Sequence, residues 1–407
     1  MGLSGGHNSV TAPAASDDAP TAASVSTVSA DRQRLDSIDL LRGLVMVLMA
    51  LDHVREYFTK ARFDPLDLTQ TSAVLFATRW ITHFCAPAFL LLAGTSAYLV
   101  SKKRTRTELS RFLLTRGLWL VFLELTVVIF AWSFDLSYKG GLDLAVIWAI
   151  GWSMIAMAAL VYLPVSAVGA IGILMIFGHN ALDGIKPEAL GAWAPVWSVL
   201  HVQGPIPYGF VVYPLVPWIG VMAAGYALGT VYDLPDARRR RILSWLGLAT
   251  IAGFLALRAL NVYGDPQPWS AQSSALFSVL SFMNLAKYPP SLLYLLATLG
   301  PALLALAWFE HARGAAARFL VTIGRVPLFF YVIHIALAHL LAGLAALALG
   351  YGPEVLTNRP WVLSPGWGFG LPVVYAMWAI VVLALYPACR WFAAIKQRRR
   401  HWWLSYL

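Results

Sequence analysis

Four side chains that carry charge or protons interrupt the apolar middle of residues 36–58, the first long apolar stretch of the chain. They are Asp39, Arg42, Asp52 and His53. The stretch is long enough to cross a bilayer as a helix, which takes about 20 residues. Charged groups are costly inside a spanning helix unless they face a polar interior, so they mark a functional site. An imidazole titrates near neutral pH and can act as a general base or as a nucleophile.

Helical geometry aligns Arg42 with His53, eleven residues later. At about 100° per residue, the two side chains point within roughly 20° of each other. A rise of 1.5 Å per residue separates them by roughly 16 Å along the helix axis. Asp52 and Arg55 are expected to point elsewhere, because adjacent residues do not share a helix face. Four further residues fall on the Arg42–His53 stripe: Asp39, Met46, Met49 and Glu56.

A second apolar stretch carries Arg79 and His83, which are four residues apart and so share a helix face. If the first span runs outward and the second returns, His53 and His83 lie at depths that differ by only several Å. We therefore expect the two histidines to line one cavity in the outer half of the membrane.

Later spans contain further polar residues, and the densest group lies in residues 324–335, with Arg325, Tyr331 and His334. A structural role competes with a functional one at each position. Arginines snorkel to an interface or form structural pairs, and histidines hydrogen-bond across helices. The remaining residues of this kind are Arg116, Glu124 (as partner of an arginine), Arg258 and His339.

The composition is that of a polytopic membrane protein. Of 407 residues, 59% are hydrophobic and 12% are charged, which excludes an ordinary soluble globule. The net charge of +10 does not indicate nucleic-acid binding, because the basic residues form short clusters between apolar spans. Cys85 and Cys389 lie in apolar spans and predict core packing, not a disulfide framework. The chain has no metal-ligand spacing and no phosphate-binding loop, so no metal is expected.

The apolar pattern predicts an all-α bundle of about ten transmembrane helices, or eleven if one is divided. Residues 1–33 read as a disordered cytoplasmic tail, with Asp36 or Ser37 as helix N-cap. Residues 34–395 form the membrane domain and 396–407 a basic tail. The ninth span is long and could break near Leu340. The predicted spans are 38–58, 73–100, 110–132, 143–163, 165–179, 210–231, 242–262, 289–309, 318–349 and 370–395.

The basic loops all fall on one side of this arrangement, which predicts that both termini are cytoplasmic. The other side has longer loops rich in Pro, Gly, Trp and Tyr, at 180–209, 263–288 and 351–369. Their aromatic residues either stack on a sugar or form an interfacial belt. High Ala and Arg usage favours a bacterial plasma membrane. The basic positions are Lys102, Lys103, Arg104, Arg106, Arg111, Arg238–Arg241, Arg313, Arg318, Lys396 and Arg398–Arg400.

Several motifs together resemble the heparan-alpha-glucosaminide N-acetyltransferase catalytic-domain family, over nearly all of residues 34–395. They are Ser-Ile-Asp-Leu-Leu-Arg-Gly at 37–43, Asp-His at 52–53, the 78–96 segment, Tyr-Pro-Leu-Val-Pro-Trp-Ile-Gly at 213–220, and 324–335. The first helix also resembles the membrane-bound acyltransferase type three family. That family has Ile-Asp-x-Leu-Arg followed by a histidine considered catalytic, a pattern that falls on Ile38, Asp39, Leu41, Arg42 and His53.

One feature departs from the first resemblance. The lysosomal enzyme that names the family is thought to use a histidine in the loop after the first helix. The corresponding loop here, 59–72, contains none. That enzyme also has an asparagine about where His53 stands, so either the chemistry has moved to His53 or the substrate differs.

The resemblance implies an acyl-CoA donor, acetyl-CoA in the first place, and an acyltransferase acting on a hydroxyl or amine outside the cytoplasm. His53 would act as base or carry the acyl group, and Arg79 or protonated His83 would stabilise the oxyanion. Arg42 would meet the CoA phosphates, with Asp39 and Arg325 assigned to the same donor site. Basic residues of the inner loops, for example Arg104 and Arg106, could assist.

The acceptor is left open among a cell-envelope polysaccharide, a lipid-linked sugar and a small metabolite, as is the oligomeric state. The alternative function is transport of a small polar or anionic solute, because intramembrane arginine, histidine and glutamate also occur in carriers. Against transport, the chain shows no inverted repeat, and its polar residues concentrate in the first two spans. A structural scaffold would not explain the alignment of Arg42 with His53.

Overall fold

Long apolar helices dominate the computed structural model, which describes residues 1–2, 22–360 and 366–399. Within these residues, eight helices are long and apolar enough to cross a membrane. The first helix and a shorter apolar helix, Val146–Leu160, complete a set that matches the ten predicted spans one to one. The prediction of an all-α polytopic membrane protein is therefore confirmed.

The first half of the bundle contains the first five crossings. These comprise α1 (Ala22–Phe58), α2 (Ala73–Trp80) continued through a 3₁₀ turn by α3 (Cys85–Ser101), α4 (Arg106–Leu123) continued through a π-helical turn (Glu124–Val128) by α5 (Ile129–Ser133), α6 (Val146–Leu160) and α7 (Val165–Gly178). The second half contains α8 (Ala194–Leu200), α9 (Leu215–Leu228), α10 (Asp236–Leu260), α11 (Ala275–Met283), α12 (Leu292–Phe309), α13 (Ala315–Gly324), α14 (Pro327–Ala348) and α15 (Leu371–Arg398). Of these, α8, α11 and α13 are short segments outside the ten crossings.

Helix α1 starts at Ala22, so the predicted N-cap at Asp36 or Ser37 is wrong. Residues 22–35 contain neither glycine nor proline, the two residues that most disfavour a helix. The helix therefore continues beyond the apolar stretch, and residues 22–33 of the predicted tail are helical. Residues 3–21 of that tail lie outside the described part of the chain.

The ninth predicted span is interrupted between α13 and α14, not near Leu340. Pro327 opens α14, and a proline lacks the N–H that would continue the preceding helix. It also disfavours the helical conformation at the residue before it. Val326 accordingly adopts φ −131° and ψ 48°. The interruption places Arg325 between two helices, with its side chain directed towards α1.

Helices α1 and α13 approach so closely that only glycine fits at their crossing. A Cβ atom on Gly43 would lie 1.9 Å from the carbonyl oxygen of Leu320, and one on Gly324 would lie 1.8 Å from that of Asp39. Both glycines belong to motifs quoted above, each next to an arginine. The crossing therefore brings Arg42 and Arg325 to the same place.

The two ends of the described membrane domain meet on one side of the bundle. Arg325 donates a hydrogen bond to Asp36 at 2.9 Å, and its carbonyl oxygen accepts one from Lys396 at 3.4 Å. A first helix that starts and a last helix that ends at the same side require an even number of crossings. We call this side the basic end and the other the far end. That the basic end faces the cytoplasm stays a prediction of the charge pattern.

A small sheet lies at the far end. Strands β1 (Leu142–Leu144), β2 (Gly204–Ile206) and β3 (Gly209–Val211) have the order β1-β3-β2. β1 is parallel to β3, pairing Leu142 with Gly209, and β2 is antiparallel to it. Nearby, the buried Arg258 donates to the carbonyls of Phe282, Gln267, Ser281 and Asn284. The structural interpretation of Arg258 is therefore confirmed.

Candidate active site

Two imidazoles meet where α1 crosses α14. His53 Nδ1 lies 2.8 Å from His334 Nε2. The rings are within 6° of parallel with centroids 5.0 Å apart, as expected for imidazoles joined edge to edge through a hydrogen bond. His334 is fully buried, and its Nδ1 lies 2.9 Å from the carbonyl oxygen of Phe330.

These contacts determine the tautomers when both rings are neutral. A carbonyl oxygen can only accept, so His334 Nδ1 carries a proton and donates it to Phe330. His334 Nε2 is then an acceptor, and the proton between the rings belongs to His53 Nδ1. This leaves His53 Nε2 without a proton. The arrangement is that of a general base whose second nitrogen is oriented by a partner.

His53 lines a cavity of about 540 Å³, which we call the His53 cavity. Four more ionisable side chains from the membrane helices also line it: Asp52, Glu56, Arg79 and Glu124. Trp132 packs edge-on against the imidazole at 4.8 Å between centroids. Further polar residues of the wall come from the loops and strands of the far end: Asp143, Tyr213, Lys287, Tyr288 and Arg359.

Arg79 is held in this wall by Asp52. Its Nη1 donates to Asp52 Oδ2 at 3.1 Å and to Thr82 Oγ1 at 3.0 Å. Arg55 donates to Asp52 Oδ1 at 3.0 Å, so two arginines share one carboxylate. The expectation that Asp52 points away from the site is therefore wrong. The cavity extends around more than one face of α1 and reaches both Asp52 and His53.

His83 does not line the cavity, contrary to the expectation that it shares one with His53. It is fully buried, its ring packs against Tyr294 at 5.2 Å, and neither ring nitrogen has a hydrogen-bond partner among the described residues. The short 3₁₀ turn between α2 and α3 changes the helical phase between Arg79 and His83, so Arg79 alone faces the cavity. The imidazole that meets His53 is His334.

A second cavity of about 330 Å³, the Arg42 cavity, opens towards the basic end. Arg42, Arg116, Arg325 and Lys396 line it. Arg42 donates to Asp39 at 2.8 Å and to Ser96 at 3.2 Å, and Arg325 lies 3.6 Å from the same aspartate. Asp39 thus holds two arginines of the wall without lining the cavity itself.

The two cavities are adjacent, because Met49, Phe89, Val146 and Tyr331 line both. The stripe predicted on α1 forms one side of both, with Arg42 and Met46 in one, Met49 in both, and His53 and Glu56 in the other. The two adjoining cavities, which we call the passage, therefore have four basic side chains in one part and His53 in the other.

Other predicted basic residues lie outside this passage. Arg104 packs over the ring of Phe112 at 4.2 Å, and Arg106 donates to the carbonyl of Tyr162 at 2.8 Å. Among the described residues Glu124 pairs with no arginine, and it accepts a hydrogen bond from the backbone N–H of Trp148 at 3.0 Å. The prediction of an arginine partner for Glu124 is wrong. Cys85 packs in the core and donates to the carbonyl of Val45 at 3.2 Å, as predicted.

The rim of the His53 cavity at the far end carries more positive than negative side chains. Burial raises the pKa of the Asp143 carboxyl, although Arg359, which donates to it at 2.6 Å, acts in the opposite direction. Burial alone would also raise the pKa of the Tyr288 phenol, but Lys287 and Arg79 together hold it below its ordinary value. Lys287 is buried and has no carboxylate partner among the described residues. The rim is therefore cationic.

Sequence reasoning missed four of these residues as members of the site. Lys396 was assigned only to a cytoplasmic tail, although it lies in the last turn of an apolar helix, which is a usable signal. Asp52 and His334 stand out in the sequence as polar residues inside apolar spans, but their contacts with Arg79 and His53 form only in the folded chain. Lys287 gives no signal of either kind.

Comparison with known protein families identifies the family of this chain. The family described as heparan-alpha-glucosaminide N-acetyltransferase, catalytic, matches residues 34–268, which is more than half of the chain. The chain belongs to this family. The resemblance proposed from the motifs is thereby confirmed, and a membrane acetyltransferase is the function class that the family indicates. No curated protein matches the chain.

Within the family match lie α1, with Arg42 and His53, and α2, with Arg79. The match ends before α13 and α14. His334 and Arg325 therefore join the site from a part of the chain outside the matched residues, and their contacts with His53 and Asp39 alone place them there.

Proposed function

We propose that the protein transfers an acetyl group from cytoplasmic acetyl-CoA to a hydroxyl or amine of an extracytoplasmic acceptor, a sugar or cell-envelope glycan, in a bacterial plasma membrane. The observation that carries the proposal is that the basic Arg42 cavity adjoins a cavity lined by His53, whose Nδ1 is oriented by His334. A donor and an acceptor could enter such a passage from opposite ends and meet at His53.

The Arg42 cavity suits the donor. CoA is polyanionic, and arginine forms strong charge-assisted bonds to phosphate. Arg42, Arg325 and Lys396 would hold the phosphates at the basic end, with Asp39 fixing the two arginines. The pantetheine arm would then extend past Met46 and Met49. The distance to bridge along α1, roughly 16 Å at 1.5 Å per residue, is of the scale of that arm.

In the proposed reaction, His53 Nε2 removes the proton of the acceptor O–H or N–H as the oxygen or nitrogen attacks the thioester carbonyl carbon. Arg79 stabilises the oxyanion. The carbon–sulfur bond then breaks, and the CoA thiolate takes the proton from the imidazolium. His334 accepts the Nδ1–H bond throughout and stabilises the transient positive charge. The acyl-histidine route, in which Nε2 attacks the thioester first, uses the same nitrogen.

The decisive test follows radiolabelled acetyl-CoA with purified protein in detergent, with and without an envelope-glycan extract. His53→Ala should abolish CoA release, whereas His311→Gln, which alters an exposed histidine, should not. Glycan-dependent release without retained label supports direct transfer, and label retained on wild type alone supports the acyl-histidine route. Normal transfer by folded His53→Ala refutes the proposal. Donor-independent counterflow of a solute in vesicles would support transport instead.

A further inference from the structure

Three potential metal ligands converge at the far end, outside both cavities. His179 follows α7 and opens a 3₁₀ turn, Asp183 follows that turn, and His201 caps the C-terminus of α8. One ligand atom from each lies within 4.8 Å of the others. His201 Nε2 is 3.0 Å from Asp183 Oδ1, and the two imidazole rings are 5.7 Å apart at 66°.

The two histidines are buried with unused nitrogens. His179 is 2% exposed, and neither of its ring nitrogens has a hydrogen-bond partner among the described residues. His201 is fully buried, and its Nδ1 likewise lacks a partner there. Buried polar groups are normally satisfied, and each exception calls for an explanation such as a missing ion. An ion pair between His201 and Asp183 would leave His179 unexplained.

The carboxylate is oriented from behind. Asn180 donates to Asp183 Oδ2 at 2.8 Å, and its own Oδ1 accepts the backbone N–H of Leu292, the first residue of α12, at 2.8 Å. Asp183 Oδ1 is thereby turned towards the histidines. Partners that orient a ligating carboxylate are a regular feature of metal sites.

We propose that His179, Asp183 and His201 bind a divalent transition-metal ion, with Zn²⁺ as the best match. Imidazole favours zinc and its neighbours over Mg²⁺ and Ca²⁺, which prefer all-oxygen sites. Two histidines and one carboxylate leave a fourth position for water in a tetrahedral site. The sequence gave no metal-ligand spacing here, because Asp183 and His201 are separated by α8 and meet only in the folded chain.

The position of the site indicates a structural role at the entrance for the acceptor. The ion would join the end of α7 to the end of α8. The chain continues from His201 directly into the β2–β3 hairpin, whose Phe210 lines the His53 cavity. Asn180 links the same cluster to α12. The ion would thus fix the hairpin relative to the membrane helices and take no part in acyl transfer.

The test measures binding, not activity. The full chain, tag-free in detergent and stripped with EDTA, is titrated with Zn²⁺ by calorimetry, and bound metal is counted by elemental analysis after desalting. Wild type and the control His311→Gln should each bind one equivalent, and His179→Gln should bind at least about tenfold more weakly. Zinc should raise the thermal midpoint of wild type but not that of His179→Gln.

Co²⁺ gives an independent readout, because a four-coordinate His₂Asp site produces intense visible absorption. Wild type should show it, and Asp183→Asn should lose or shift it. If His179→Gln does not fold, this spectrum on wild type and Asp183→Asn decides the question. Absence of stoichiometric Zn²⁺ binding to folded wild type, or equal binding by wild type and the variants, would overturn the proposal.

Discussion

Replacing His334 by phenylalanine tests whether His53 depends on its partner. The substitution keeps a buried aromatic ring but removes the acceptor of the 2.8 Å bond from His53 Nδ1. In the proposed reaction that bond is charge-assisted, and such a bond contributes about 1.5–3 kcal/mol. At about 1.4 kcal/mol per tenfold in rate, kcat should fall by roughly 10- to 150-fold.

Donor binding should be unchanged, because His334 lines neither cavity. The measurement compares kcat for CoA release and the dissociation constant for CoA in wild type, His334→Phe and His334→Gln. The glutamine amide oxygen can accept the Nδ1–H bond, so His334→Gln should recover part of the rate. A kcat for folded His334→Phe within twofold of wild type, or equal losses in both variants, would refute the reasoning.

Three further predictions follow. Arg42→Ala should weaken CoA binding by about tenfold or more, because a charge-assisted contact is lost. Calorimetric titration with CoA checks this. Arg106→Ala, which lies outside the cavity, is the control and should bind CoA normally. Gly324→Ala should lower stability by about 1–3 kcal/mol, because its Cβ would overlap the backbone of α1. Its thermal midpoint is compared with that of Gly253→Ala, where the nearest atom is 4.0 Å away, and equal midpoints would contradict the account. Lys287→Met should raise KM for an anionic acceptor about tenfold with little change in kcat, because it removes a buried cation from the rim. An unchanged KM would argue against contact between Lys287 and the acceptor.

Much of the fold could be predicted from local pattern. Ten apolar segments and the side on which arginines cluster follow from composition along the chain, because bilayer thickness sets helix length. The start of α1 at Ala22 and the break before Pro327 were misplaced. In the first case no glycine or proline ends the helix at the edge of the apolar stretch, and in the second Pro327 interrupts one long apolar span.

Some residues of the candidate site could also be predicted from local pattern, and others could not. The alignment of Arg42 with His53 on α1 follows from helical periodicity, which links residues within one element, and both do line the passage. Arg79 was also predicted to face it. Helical phase predicts His83 in the same cavity, but His83 lies in the 3₁₀ turn that follows α2 and is buried in the core.

The sequence by itself therefore determined the membrane class of this protein, its family resemblance and the two chemical groups on its first helix. Only the tertiary structure decided which partner orients His53, that Lys396 and Arg325 join Arg42, and that His179, Asp183 and His201 meet. The physical reason is the distance along the chain over which each kind of interaction acts. Periodicity and propensity act over a few residues. The contacts of His53 and Arg42 depend on helix crossings such as that of Gly43 with Gly324, which join segments hundreds of residues apart, and the His179 cluster forms only when the chain folds back through α8.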